Sequence, residues 1–185
     1  MRILFITGNK HKLREAKEIL QGHEVEGKAL DLPELQSLDL DEIIMEKLAA
    51  AIPFTMSDKV ALMVEDTGFW IGETGLPGPF IKHFWKTIGR KGLVTFAQAF
   101  GAEHARAECH IGLLLPDSKP PQFFVGIVDG KLVPPRGESG FGFDPLFIPE
   151  GYDKTFAEMD AKEKNAISHR RKALEALSEY LKANI

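Results

Sequence analysis

Four consecutive apolar residues make Arg2-Ile-Leu-Phe-Ile-Thr7 a buried strand, which breaks at Gly8-Asn9 into a helix predicted over 10–21. A second strand follows near 24–30, then a loop around Leu32-Pro33-Glu34. Apolar positions 43, 44, 48, 51 and 52 recur at helical spacing from about Asp41 and fade near Pro53. Strand 60–66, Val-Ala-Leu-Met-Val-Glu-Asp, is apolar almost throughout, which predicts a central strand covered on both faces. A loop rich in Gly and Pro (Gly72 to Pro79) leads into a short helix containing Lys82, and a further helix spans about 91–100. Residues 105–116 and 122–134 read as strands, the second interrupted by a hairpin signal at Asp129-Gly130. After the Gly-rich stretch 137–142 a strand is expected at 143–148, and one long helix closes the chain with Leu174, Leu177 and Leu181 on a single stripe. The order βαβα, then mostly β, then α predicts an α/β fold with a mixed central sheet and flanking helices.

At 185 residues with 44% hydrophobic positions, the chain supports one core, or one core opened into two lobes by a cleft. It reads as a single domain over 1–185. No apolar run reaches the roughly 18 residues of a membrane span, and the N-terminus is strand and helix instead of a signal sequence. The expectation is a soluble, cytoplasmic protein without a membrane partner. The single Cys109 excludes an internal disulfide framework, and its apolar setting predicts a small buried residue in preference to a nucleophile. A formal charge of −4 argues against a nucleic-acid partner, so an anionic substrate must meet a local basic cluster, a metal ion, or both. Only 3 Asn and 4 Gln fit a heat-adapted source without establishing one.

Four places carry candidate chemistry. At Thr7-Gly8-Asn9-Lys10-His11-Lys12 a strand-to-helix turn lets the backbone approach a ligand, with unpaired N–H groups and two lysines at the positive end of the helix dipole. It is not a P-loop, and Gly-Asn can serve turn chemistry alone. At Glu65-Asp66-Thr67-Gly68 two carboxylates end a buried strand, which is costly unless they emerge into a polar cleft. Adjacent strand residues face opposite sides, so one of the pair enters a site unless the strand has broken; a solvated end with Asp66 in an Asx turn is the alternative. Arg170 falls on the apolar stripe of Ile167, Leu174, Leu177 and Leu181, and an inward guanidinium needs a ligand or an internal carboxylate. Lys164 and Ser168 lie one turn apart, with His169 adjacent. Ser139-Gly-Phe141-Gly142-Phe143-Asp144-Pro145 suits either a base platform or a bulged strand entry with core Phe residues.

Taken together, these segments resemble the inosine triphosphate pyrophosphatase (Ham1-like) family. Thr7 to Lys12 is similar to its T-x-N-x-x-K signature, Glu65 to Phe69 to its acidic strand end, Phe141 to Pro145 to its base-binding segment, and Lys164-Asn165-Ala-Ile-Ser168-His169-Arg170 to its K-N-x-x-S-H-R motif. Four motifs in order over residues 3 to about 180 are far more specific than any one. The resemblance implies two lobes around an active-site cleft and hydrolysis of ITP, dITP and XTP to monophosphate and pyrophosphate. It implies that Thr7, Gly8, Asn9, Lys10, His11 and Lys12 hold the triphosphate with Lys47 and Lys82, and that Thr67 joins the substrate site. It implies Glu34 and Asp66 as ligands of one Mg²⁺, with Asp66 also the general base. Phe143 stacks on the purine in this reading, flanked by Phe141, Gly142, Asp144, Lys164, His169 and Arg170. A homodimer is implied too, for which Phe80 to Trp85 offers either contact surface or core.

That chemistry suits the residue types. Attack at the α-phosphorus expels pyrophosphate, so the site needs lysines and a metal for the leaving charge and a carboxylate to orient water. Hypoxanthine and xanthine carry an oxygen at C6 where adenine carries an amino group, so a donor there can discriminate by roughly 10⁴-fold. A pyrophosphatase for another modified nucleotide and a non-hydrolysing nucleotide sensor are the competing readings. A substrate panel separates the first; intact nucleotide after long incubation would favour the second.

Overall fold

The computed structural model describes residues 1–54, 60–116, 120–138 and 142–185. Its strands are β1 (Arg2–Ile6), β2 (Glu24–Lys28), β3 (Ala61–Ile71), β4 (Pro77–Gly78), β5 (His104–Leu114), β6 (Gln122–Leu132) and β7 (Phe147–Pro149). The helices are α1 (Lys10–Ile19), α2 (Leu40–Ala51), α3 (Ile81–Ala99), α4 (Ala161–Ile167) and α5 (His169–Asn184). The strands form one sheet in the order β2-β1-β3-β5-β6-β7, with β4 added to β3. β1 runs parallel to β2 and β3, whereas β3–β4 and β6–β7 are antiparallel, so the sheet is mixed as the element order predicts. No helix among the described residues is long and apolar enough to cross a membrane.

The chain divides into two compact units. The first comprises Met1–Asp66, Cys109–Gly126 and Arg170–Ile185. In it, strand alternation sorts side chains into two apolar layers. Ile3, Phe5, Ala61, Met63, Cys109 and Ile111 pack with Ala16 of α1, with Leu20 that caps its C-terminus, and with Leu174, Leu177 and Leu181 of α5. Leu62 and Val64 face the other way, onto Ile44, Leu48 and Ala51 of α2. The apolar run of β3 is thus covered on both faces, as expected, and Cys109 is buried.

The second unit comprises Thr67–Glu108 and Ile127–His169. Its core joins Phe69, Ile71, Leu93, Ala97, Ala105, Ala107, Val128 and Leu132 to Phe143, Phe147 and Phe156.

Five expectations need correction. β3 does not end at Glu65-Asp66 but continues through Thr67-Gly68 to Ile71. Gly68 is a strand residue because the Trp70 ring lies across it, where any Cβ would collide. β6 is uninterrupted at Asp129-Gly130. Gly130 pairs with Pro149 in β7, and Asp129 accepts from Arg106 Nε of β5 at 2.8 Å, so cross-strand partners override the turn signal. The strand expected at 143–148 is cut to Phe147–Pro149 by a 3₁₀ turn over Asp144–Leu146, which Pro145 favours in its first turn. The closing helix is two helices: Ser168 at φ −65°, ψ 153° ends α4, and Ile167 joins the second unit's core instead of the Leu174 stripe. The two helices expected around Lys82 and 91–100 join as α3, with Gly89 non-helical at the junction.

Candidate active site

β1 stops one residue before Thr7, and its pairing of Phe5 with Met63 brings Thr7 level with Glu65 when extended by two residues. Asn9 caps α1, its Oδ1 accepting from the N–H of His11 at 2.9 Å and of Lys12 at 3.4 Å. Thr7 Oγ1 accepts from the Asn9 N–H at 3.1 Å. The Gly-Asn turn therefore performs the capping role that its sequence allows. Gly8, Asn9, Lys10 and His11 are exposed around it. Lys12 turns inward, with Nζ 3.0 Å from Glu65 Oε1.

The two carboxylates of β3 part company by strand alternation. Glu65 continues the row of Ala61 and Met63, so it enters the α1–α5 layer with its side chain 1% exposed. There it accepts from Arg170 Nε at 3.0 and 3.2 Å as well as from Lys12. Arg170 also reaches Glu15 through Nη1 at 3.4 Å. Burial alone would raise the Glu65 pKa, but the charges of Arg170 and Lys12 outweigh it and hold the group down to about 2. Burial lowers the pKa of Arg170 and the Glu65 charge more than restores it, for a net rise. Burial, with the Glu65 charge next, pushes the Cys109 thiol well above its ordinary range and leaves it inert.

Asp66 continues the opposite row, that of Leu62 and Val64, and its Oδ2 accepts from Lys47 Nζ of α2. The Asp66 side chain is 25% exposed, against 1% for Glu65. Of the pair, Asp66 is the carboxylate that solvent or a ligand can reach. Glu34 lies exposed in the irregular segment between β2 and α2, and Lys82 lies exposed in the first turn of α3. Among the described residues, no three His, Cys, Asp or Glu side chains gather as a metal cage.

In the second unit, Phe143 stacks on Phe69 with ring centroids 4.3 Å apart and planes at 20°. Asp144 is buried, and its Oδ2 accepts from Lys164 Nζ at 2.5 Å. Lys164 Nζ also lies 5.4 Å from the Phe156 ring centre, and the buried His169 ring is centred 5.8 Å from Phe143. Gly142 is buried and Thr67 half-buried; Phe141 lies outside the described residues.

The predicted residues thus gather as Lys12, Glu65 and Arg170, as Lys47 with Asp66, and as Phe143, Asp144, Lys164 and His169. The sequence reading missed Glu15, Phe69 and Arg90, the last donating to the Gly142 carbonyl at 3.2 Å. Glu15 had a signal, since it follows Lys12 by three residues and so shares its helix face. A long-range bond to a backbone carbonyl leaves none.

An α/β protein with a basic capped turn, two strand carboxylates of opposite facing and a carboxylate-lysine pair beside stacked aromatics has known relatives. The chain belongs to the Ham1 family, matched over residues 3–180. It is 42% identical to the inosine triphosphate pyrophosphatase of Schizosaccharomyces pombe, over 98% of this chain and 95% of that protein. It is 44% identical to the dITP/XTP pyrophosphatase of Methanopyrus kandleri, over 100% and 98% respectively. A HAM1 protein structure from Coxiella burnetii matches with TM-score 0.84 at 28% identity, covering 99% of each chain.

Proposed function

We propose that this protein hydrolyses the non-standard purine nucleoside triphosphates ITP, dITP and XTP to the monophosphate and pyrophosphate, removing them from the nucleotide pool. The observation that carries this reading is identity of 42% and 44%, along essentially the whole chain, to relatives named for that activity. The site geometry supports it. Lys10 and the N-terminus of α1 offer positive charge to the triphosphate and His11 a ring N–H, with Thr7, Gly8 and Asn9 shaping the turn and Lys12, Lys47 and Lys82 adding charge. Asp66 is the general base that orients water, and Lys47 beside it brings a cation to where negative charge develops.

One Mg²⁺ fits the donor set: Asp66 and Glu34 are hard oxygen ligands, both reachable by solvent, while Glu65 is spent on Arg170 and Lys12. Asp66 and Glu34 would hold the ion, which would supply positive charge to the departing pyrophosphate.

Phe143 and Thr67 serve the nucleoside, together with Gly142 and Phe141. Asp144 accepts from a base N–H, and Lys164 or His169 donates to the oxygen at C6. Arg170, bonded to Glu65 and Glu15, fixes the chain directly beside His169. A homodimer belongs to the same reading, and sedimentation at twice the 20.6 kDa chain mass is the expected result.

Incubation with ITP and Mg²⁺, alongside ATP and GTP, should yield IMP and pyrophosphate with little turnover of the other two. Orthophosphate with IDP, or nucleotide recovered intact, would overturn the reading.

A further inference from the structure

The geometry points to Arg90 as a positioning residue that holds the base-recognition segment Gly142–Asp144 in register, a role that rests on the function proposed above. α3 is broken at Gly89, whose φ of 71° and ψ of 176° interrupt 19 residues of otherwise helical chain. That backbone region is essentially reserved for glycine, and a break inside a helix forfeits hydrogen bonds. The residue immediately after the break is Arg90. It is half-buried, and its Nε donates to the carbonyl oxygen of Gly142, 52 residues further along, at 3.2 Å. Among the described residues no carboxylate pairs with this guanidinium, and the bond it makes is to the backbone of that segment. The first half of α3 borders the same point, because a Cβ on Gly142 would lie 3.8 Å from Trp85 Nε1.

A peptide group is planar, so fixing the Gly142 carbonyl fixes the N–H and Cα of Phe143 in the same plane. Gly142 itself sits at φ 61°, a conformation that glycine adopts without the strain a side chain would bring. Holding that plane sets how the Phe143 ring lies against Phe69 and where Asp144 meets Lys164. Arg90 touches neither ring nor carboxylate, and it acts on the purine through them.

Arg90→Met keeps the apolar stem and removes the donor. Its KM for ITP should rise by about tenfold, the scale of one lost charge-assisted hydrogen bond, with kcat within about threefold of wild type and a reduced preference for ITP over GTP. A merely structural role would lower the melting temperature and leave KM and that preference unchanged. Lys91→Met, exposed and adjacent, should behave as wild type. If Arg90→Met does not fold, Arg90→Lys carries the same reading, because its point charge cannot reproduce the guanidinium's directed N–H. A wild-type KM and ITP-to-GTP ratio in either variant overturns the assignment to Arg90. Failure of wild-type protein to convert ITP overturns the functional reading and this inference together.

Discussion

Glu65 and Asp66 are covalent neighbours in different solvents. Glu65 is sealed among Lys12, Arg170 and Cys109; Asp66 meets Lys47 within reach of water. Different substitutions should separate their roles. Asp66→Asn should lower ITP turnover by about 10²–10⁴-fold while nucleotide binding, followed by calorimetry, persists. Full activity would remove Asp66 from the mechanism. Glu65→Gln leaves Arg170 and Lys12 without their carboxylate, and should lose about 3–5 kcal/mol in urea unfolding. The anomaly of two acids after an apolar run was legible in the sequence, and so was the inward facing of Arg170. That Arg170 meets Glu65 was not, because the partners lie 105 residues apart and either a ligand or a carboxylate could satisfy a guanidinium.

At the scale of elements, α4 is short and depends on its ends. Asp160 accepts from the Glu163 N–H at 2.7 Å while Glu163 accepts from the Asp160 N–H at 2.9 Å, a reciprocal capping box. This small helix presents Lys164 to Asp144. Asp160→Ala should therefore lower stability by about 1 kcal/mol, read from the urea midpoint. Elements with a clean period were readable: β1, α1, α2 and the apolar half of β3 stand where the pattern places them. The errors fell where a distant neighbour decides. Gly68 reads as a break until the Trp70 ring is seen to occupy the space a side chain would need. Asp129-Gly130 reads as a turn until β5 and β7 supply partners. The split between α4 and α5 has no glycine or proline to announce it.

For the molecule as a whole, the formal charge of −4 says nothing of where the cations lie, and Lys12, Lys47, Lys164 and Arg170 each meet a carboxylate. The mixed sheet followed from element order, but the placing of β3 between β1 and β5 needed the register. Acid sensitivity is a global property with a local origin. Glu65 is held at about 2 against an ordinary 4.5, so the unfolded chain binds its proton first as pH falls. The stability this contributes is complete above pH 4.5 and drains away as pH drops from 4.5 toward 2, by about 3 kcal/mol in total. Urea midpoints measured across that window should fall steeply for wild type and less steeply for Glu65→Gln. Parallel slopes would mean that other groups govern acid unfolding.

The odd-even rhythm of β3 also constrains how this gene can vary. Losing or gaining a single codon between Ala61 and Val64 would exchange the two faces of the strand beyond it, turning Glu65 away from the Lys12 and Arg170 that it neutralises and Asp66 away from Lys47. Paired insertions or deletions of two would preserve the alternation. Length changes in this strand should therefore be tolerated only in even numbers, while the irregular stretch from 29 to 39 is under no such parity.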